Sequence, residues 1–314
     1  MRNIRRVSLA LAFAFSAVVA SSARADAPGD AWGAAKSMLP ANPYVVMGFN
    51  IATIKSSTLF QQLYPKLIAQ SGEAKEGLDM VQADCGINVT EAIQGVVVAI
   101  DDSNAGIIVL STKGLDQTKI NDCFSKVAAK KEPGKKITAG KPDAAGVVEY
   151  TASGEKDAIF IAYLPKGVIV MATDPKDKSL LQKWMGGKGA DAKGVAGTAL
   201  GKVNTGAAMW GAVVKAEQID AGLNMKAAYG AADIAGGNIA GDVHVVLGSA
   251  KEATEAAVKF NDQLEQTKKG GQVPPAFANI LKSVKIAAVG DEVVVKASIS
   301  EKEALGLAGM AMGH

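Results

Sequence analysis

Only two histidines, two cysteines and four arginines occur in the 314 residues, and all four arginines (Arg2, Arg5, Arg6 and Arg24) fall within the first 24. Each scarcity excludes a chemistry. A histidine-based catalytic triad or a multi-histidine zinc site needs at least one imidazole placed beside partners. Here His314 is the last residue and His244 lies among valines in a strand pattern, where it reads as a satisfied sheet histidine. Bidentate recognition of phosphate and readout of guanine are largely arginine chemistry, so nucleic acid is not an expected partner. Sixteen aromatics in the whole chain (three Trp, five Tyr, eight Phe) are too few for stacking platforms that bind sugars or single strands. Trp32, Trp184 and Trp210 are far apart in sequence and read as packing residues.

The arginines mark an export tag. Arg2, Arg5 and Arg6 precede an uncharged apolar run from Val7 to Ala20, and Ala23-Arg24-Ala25 supplies the small-x-small pattern that signal peptidase recognises. Residues 1–25 are therefore expected to be a signal peptide, with Asp26 as the first mature residue and the periplasm or the outside as destination. The run falls short of the roughly 20 apolar residues that span a bilayer, and no later window supplies them. With the tag removed, the formal charge of +3 loses four arginines and becomes −1. The mature surface is near neutral, which removes electrostatic steering toward anionic partners.

Residues 26–42, with Pro28 and Pro40, read as a leader into the strand that starts near Tyr44. Helical spacing follows over 57–70 and 73–82, and a hairpin over 95–111 turns at Asp101-Asp102-Ser103-Asn104. Asp116 caps a helix whose apolar face is Ile120, Cys123, Phe124, Val127 and Ala128. Strands at 147–150, 158–163 and 168–172 lead to a helix expected from Asp174 to Met185. Residues 186–206 hold seven glycines in 21 positions and read as a linker.

The second half replays the first. Residues 107–111 followed by a helix match 243–248, where Ser249 and Glu252 form a capping box. Residues 159–173 with their helix match 284–298 and the helix from Glu301 to Met310. Gly48 to Leu110 spans 62 positions and Gly211 to Leu247 spans 36, so the second copy lacks 26, the stretch of the helical pair and Cys85. The expected fold class is α+β: two related repeats, 43–185 and a shortened 207–314, each an antiparallel sheet with helices packed on one face.

Tyr44 to Leu67 and the turn Gly86-Ile87-Asn88-Val89-Thr90-Glu91-Ala92-Ile93 before a strand resemble segments of a loose class of exported bacterial proteins of unknown function with tandem α+β units. The resemblance covers the first third of the chain. It implies export and no known chemistry, so it carries over no functional residue.

Candidate chemistry is sparse. Cys85 and Cys123 have no third competitor, so in an oxidising compartment they are expected to form one disulfide, with two buried free thiols as the alternative. Ser153-Gly154-Glu155-Lys156 satisfies S-x-x-K, in which Lys156 would deprotonate Ser153 in a serine-lysine hydrolase, but it lies between strands and has no K-T-G companion. Gly197 to Lys202 departs from phosphate-loop spacing, because Ala196 stands where glycine is required and Val203 where a hydroxyl is required. Asp101 to Asn104 offers oxygens without the spaced acids of a calcium loop, and reads as a turn. Asn88-Val89-Thr90 is formally a glycosylation acceptor, with Thr90 expected to cap a helix. Met310, Met312 and His314 could hold copper(I). The reading that results is an exported, non-enzymatic binding or structural protein without catalytic residues, cofactor or assigned metal. Its partner would be a protein or a small apolar ligand, seated on a sheet surface or in an inter-repeat groove.

Overall fold

The computed structural model describes residues 29–214, 217–219, 223–270 and 275–312. Residues 1–25, expected to be a signal peptide, and His314 lie outside the described residues. Two compact units emerge: one combines 29–52 with Tyr64–Asp191, and the other combines Thr53–Leu63 with the chain from Ala192 onward. Both are α+β, and the strand pairings described within each are antiparallel.

Along the chain, α1 (Gly29–Met38) precedes β1 (Val45–Asn50), α2 (Ile51–Ser56), α3 (Thr58–Gln70), α4 (Gly72–Cys85) and the single turn α5 (Val89–Ala92). The unit boundaries fall inside α2, after Ala52, and inside α3, just ahead of Pro65, so residues Thr53–Leu63 belong to the second unit. Then come β2 (Ile93–Ile100), β3 (Gly106–Thr112), α6 (Gln117–Lys131), β4 (Ile137–Ala139), β5 (Val147–Ala152), β6 (Ala158–Leu164), β7 (Val168–Ala172) and α7 (Lys178–Met185). The strand order is β1-β2-β3-β7-β6-β5-β4. Register places Val109 opposite Val170 and Leu110 opposite Ile169, and successive side chains point to opposite faces. Leu110 and Ile169 cluster with Ile120 and Phe124 of α6, while Val109 and Val170 are fully buried on the other face. There α1 and α7 lie against β2, β3 and β7. The α+β antiparallel class is what the structure has, but these strands carry helices on both faces rather than one, because both parities are apolar.

The leader is largely helical. α1 buries Ala31, Ala35, Met38 and Leu39 beyond its end, and small side chains at i, i+4 let it approach the sheet closely. The chain leaving α7 lies against it. A Cβ on Gly187 would sit 2.1 Å from the Met38 carbonyl oxygen, while Gly189 N–H donates to Leu39 O at 3.0 Å and Asp191 N–H to Ala41 O at 3.1 Å.

In the second unit, α8 (Val195–Lys202) is followed by β8 (Met209–Val213), the small pair β9 (Glu217–Ile219) and β10 (Leu223–Met225), β11 (Ala227–Ala235), β12 (Asn238–Val246), α9 (Ala250–Lys269), α10 (Pro275–Ser283), β13 (Lys285–Val289), β14 (Glu292–Ser300) and α11 (Glu301–Met312). The stretch 186–206, expected to be a linker, thus contains a helix, held by buried Ala196, Ala199 and Leu200. The main sheet runs β13-β14-β12-β11-β8. Ala253, Ala256, Ala257 and Phe260 of α9 pack on Leu247, Val293 and Val295. At the other end of the same face, Ala304 and Leu307 of α11 join Ile239, Ile299 and Leu59. Glu301 anchors Leu59 there by accepting its N–H at 2.6 Å.

Candidate functional site

The opposite face of the β11-β12-β14 strands is polar. Period-two alternation sets Asp242 and His244 on one side of β12, and register sets Tyr229 of β11 opposite His244. Glu292 opens β14, whose Val294 pairs with His244, so Glu292 is the diagonal neighbour of the histidine. Lys202 comes from the last turn of α8, where a cation also meets the favourable end of the helix dipole. The sequence separations are large, and only the fold brings these five together.

Glu292 is the hub. Its residue is 6% exposed. Oε2 accepts the Tyr229 hydroxyl at 2.8 Å and meets His244 Nδ1 at 2.9 Å, and Oε1 accepts Lys202 Nζ at 2.5 Å. His244 Nε2 faces Asp242 Oδ2 at 3.2 Å. A carboxylate at each ring nitrogen favours the doubly protonated ring, in which both nitrogens donate. The Tyr229 and His244 rings stack with centroids 4.6 Å apart, and the Lys202 ammonium lies 5.8 Å from the Tyr229 centroid.

The electrostatics follow. The Asp242 hydrogen bond is the chief cause holding the His244 pKa above its ordinary 6.5; burial opposes it and Glu292 adds to it. Asp242 is held below the usual carboxylate range, first by its bond from His244. For Glu292 burial is the largest influence and acts upward, but the bonds from Lys202, Tyr229 and His244 together outweigh it and the net shift is downward. Burial, then Glu292, pushes the Tyr229 phenol up. With His244 protonated, Lys202, His244, Asp242 and Glu292 carry two positive and two negative charges. The cluster is neutral, and each member's charge is matched by another's.

Beside it lies a cavity of about 90 Å³ bordered by Lys202, Asn204, Asp233, Asp242 and His244. This is room for a few waters, well below the roughly 300–1,000 Å³ of small-molecule clefts. A second, open depression of about 440 Å³ runs along α4 beside Lys130 and is rimmed by Lys75, Glu76 and Asp79. Among the described residues no group of three or more His, Cys, Asp or Glu is arranged to hold a metal, and no helix is long and apolar enough to cross a membrane.

One measurement tests the cluster directly. The His244 pKa is raised, so its contribution to stability is complete below pH 6.5 and is lost as pH rises through the folded value. NMR titration of the His244 ring, assigned by its absence in His244→Gln, should give a midpoint above 6.5. A midpoint at or below that value would contradict the two-carboxylate clamp.

The motifs singled out in the sequence lie elsewhere. Cys85 and Cys123 form a disulfide, Cα atoms 5.1 Å apart, that joins α4 to α6. Ser153 sits in the turn between β5 and β6, and its hydroxyl accepts Lys136 N–H at 2.9 Å; among the described residues no hydrogen bond joins it to exposed Lys156. Asp101 Oδ1 closes its own turn, accepting Ser103 N–H at 2.9 Å and Ala105 N–H at 3.2 Å. Asn88, not Thr90, caps α5 by accepting Glu91 N–H at 3.2 Å, because from the position before the helix its Oδ1 reaches the amide three residues on. Asp177 rather than Asp174 caps α7, accepting Leu180 N–H at 2.8 Å. Met310 and Met312 fall in the last turn of α11; their side chains, like His314, lie outside the described residues. His244 is the sheet histidine expected, but its partners Glu292, Tyr229 and Lys202 carry no signal in the sequence except the failed phosphate-loop pattern that ends at Lys202.

No protein-family model and no curated protein matches this sequence. Among solved structures the chain is similar to TP0453, a Treponema protein of unknown function. Crystal forms III, I and IV of that protein each superpose with a TM-score of 0.49, at 12%, 11% and 10% identity, covering 86%, 87% and 89% of this chain and 96%, 95% and 98% of that one.

Proposed function

We propose that this chain is an exported, non-enzymatic binding or structural protein. One observation carries the reading: in its best-equipped polar cluster every charged side chain is already engaged by another, so Lys202, His244, Asp242 and Glu292 act as a clamp across β11, β12, β14 and α8 rather than as free acid, base or nucleophile. Catalysis needs a group within reach of substrate whose proton or lone pair is available. The cysteine pairing and the lack of a membrane-spanning helix among the described residues are compatible with export. A protein partner suits the surface better than an enclosed small ligand, since the cavity beside the cluster is small while Val258, Phe277 and Val289 are exposed. The proposal includes a tandem origin for the two units. Its support is their common strand order, β1-β2-β3-β7-β6 and β8-β11-β12-β14-β13, with α6 and α9 each following the third strand.

The test has two arms. The purified mature protein, Ser153→Ala and Lys156→Ala should all give no turnover above blank on broad esterase and peptidase panels; activity that disappears in Lys156→Ala would overturn the non-enzymatic reading. Mass spectrometry of the protein from the periplasmic or extracellular fraction should find Asp26 at the N-terminus, and an intact residue 1 there would overturn the cleaved signal peptide.

A further inference from the structure

Helix α4 is long but poorly anchored. None of its fourteen residues is buried. Its inner stripe, Leu78, Val81 and Cys85, has helical spacing yet is only half-covered, and its main contacts are with α6 and the single turn α5. Ser71 supplies no side-chain cap at its start. The Asp84–Lys130 ion pair to α6, at 2.8 Å, involves a lysine side chain 57% exposed, and exposed pairs of this kind hold weakly. The firm attachment is covalent: Cys85, its last residue, is bonded to Cys123, which is 6% exposed on α6. α6 by contrast is seated on the sheet through Ile120 and Phe124. Immediately after Cys85, Gly86 takes φ 65°, which turns the chain away from the helix axis.

We propose that the Cys85–Cys123 disulfide is a reducible latch that holds α4 on α6, with Cys85 the sulfur attacked by an external dithiol. A thiolate of the dithiol forms a bond to Cys85 Sγ; the S–S bond breaks, and its electron pair leaves with Cys123 Sγ, which takes up a proton. The second thiolate of the reagent then attacks the mixed disulfide, releasing Cys85 as a thiol and the reagent as its disulfide. The protein gains two electrons and two protons, and the dithiol loses them. Attack falls on Cys85 because it is part-exposed at the helix end, whereas Cys123 faces the interior. Opening the latch frees α4 and bares the half-covered stripe of Leu78 and Val81, while α6 and β2, β3 and β7 keep their own packing.

The experiment is hydrogen exchange by mass spectrometry on the full mature chain, oxidised and after dithiothreitol is added to the folded protein. Amides of 72–85 should exchange at least about tenfold faster on reduction while those of β3 and β7 are unchanged. Unchanged protection in α4 would overturn the latch, and so would loss of protection throughout the sheet. Cys85→Ser/Cys123→Ser should reproduce the reduced pattern; if it does not fold, the reduced wild-type protein, which begins folded, still decides. Brief treatment with the monothiol glutathione followed by peptide mapping should place the adduct on Cys85, and an adduct on Cys123 would overturn the assigned point of attack.

Discussion

Glu292→Ala should destabilise the unit formed from residue 192 onward by about 3–5 kcal/mol, the usual cost of removing one partner from a buried ionic network. The deletion takes the acceptor from the Tyr229 hydroxyl and from His244 Nδ1 together. Tyr229 is 4% exposed, so its hydroxyl is largely withdrawn from bulk solvent, and a buried donor left unsatisfied is penalised by its desolvation. Lys202 matters less, because its side chain is 49% exposed and can be hydrated. Glu292→Gln keeps volume and an acceptor, so its cost should be smaller. Denaturant unfolding read by exchange protection in β12 and β14 measures both variants; a loss below about 1 kcal/mol for the alanine variant would show that the cluster is not a clamp. In a double variant with Tyr229→Phe the losses should fall short of additivity, since the two share one bond.

The same cluster sets a pH window. The Glu292 pKa is lowered, so its contribution is complete above the ordinary 4.5 and is lost as pH falls through the folded value. The His244 contribution is complete below 6.5 and lost as pH rises. Between 4.5 and 6.5 both are present, and this unit should be most stable there. Outside that interval the unfolded chain's carboxylate or imidazole titrates first, and the stabilisation fades until the folded group itself changes charge beyond its shifted pKa.

The strands and capped helices were legible because their signals are local. The hairpin β2-β3 shows alternation around an Asx turn, and Asp116 and Ser249 stand where an N-cap must, accepting Lys119 N–H at 2.8 Å and Glu252 N–H at 3.2 Å. α1 and α8 escaped notice because alanine makes their buried faces: Ala31 and Ala35 in one, Ala196 and Ala199 in the other, and a stripe of small residues among glycines looks like a linker. The site is half legible in the same sense. Asp242 and His244 share a face by period two, but Glu292 is 48 positions from His244, Tyr229 63 from Glu292 and Lys202 90 from Glu292. Strand register and a helix end bring them together, and neither leaves a mark on the residues themselves. Ser153-x-x-Lys156 errs in the opposite way: the spacing is local, but β-turn geometry sends the hydroxyl to Lys136.

Trp184→Ala should cost the first unit about 3–5 kcal/mol, and Trp184→Phe less than half as much. Trp184 is 3% exposed and Leu181, one turn earlier on α7, is fully buried; together they form the face that α7 lays on β3 and β7. Alanine leaves a cavity that these strands cannot close, because Val109 and Val170 are themselves fully buried in the layer beneath. Phenylalanine loses part of the ring volume but also removes an indole N–H that has no partner among the described residues. An unsatisfied buried donor costs about 1–3 kcal/mol, so shedding it offsets much of the lost packing. A phenylalanine cost as large as its lost ring volume alone would show that the indole N–H is satisfied, with a buried water as the group to look for. Urea unfolding of the two variants side by side separates the effects: both lack the N–H, so their difference reports ring volume, and a phenylalanine cost below that of its lost volume reports relief of the unpaired N–H.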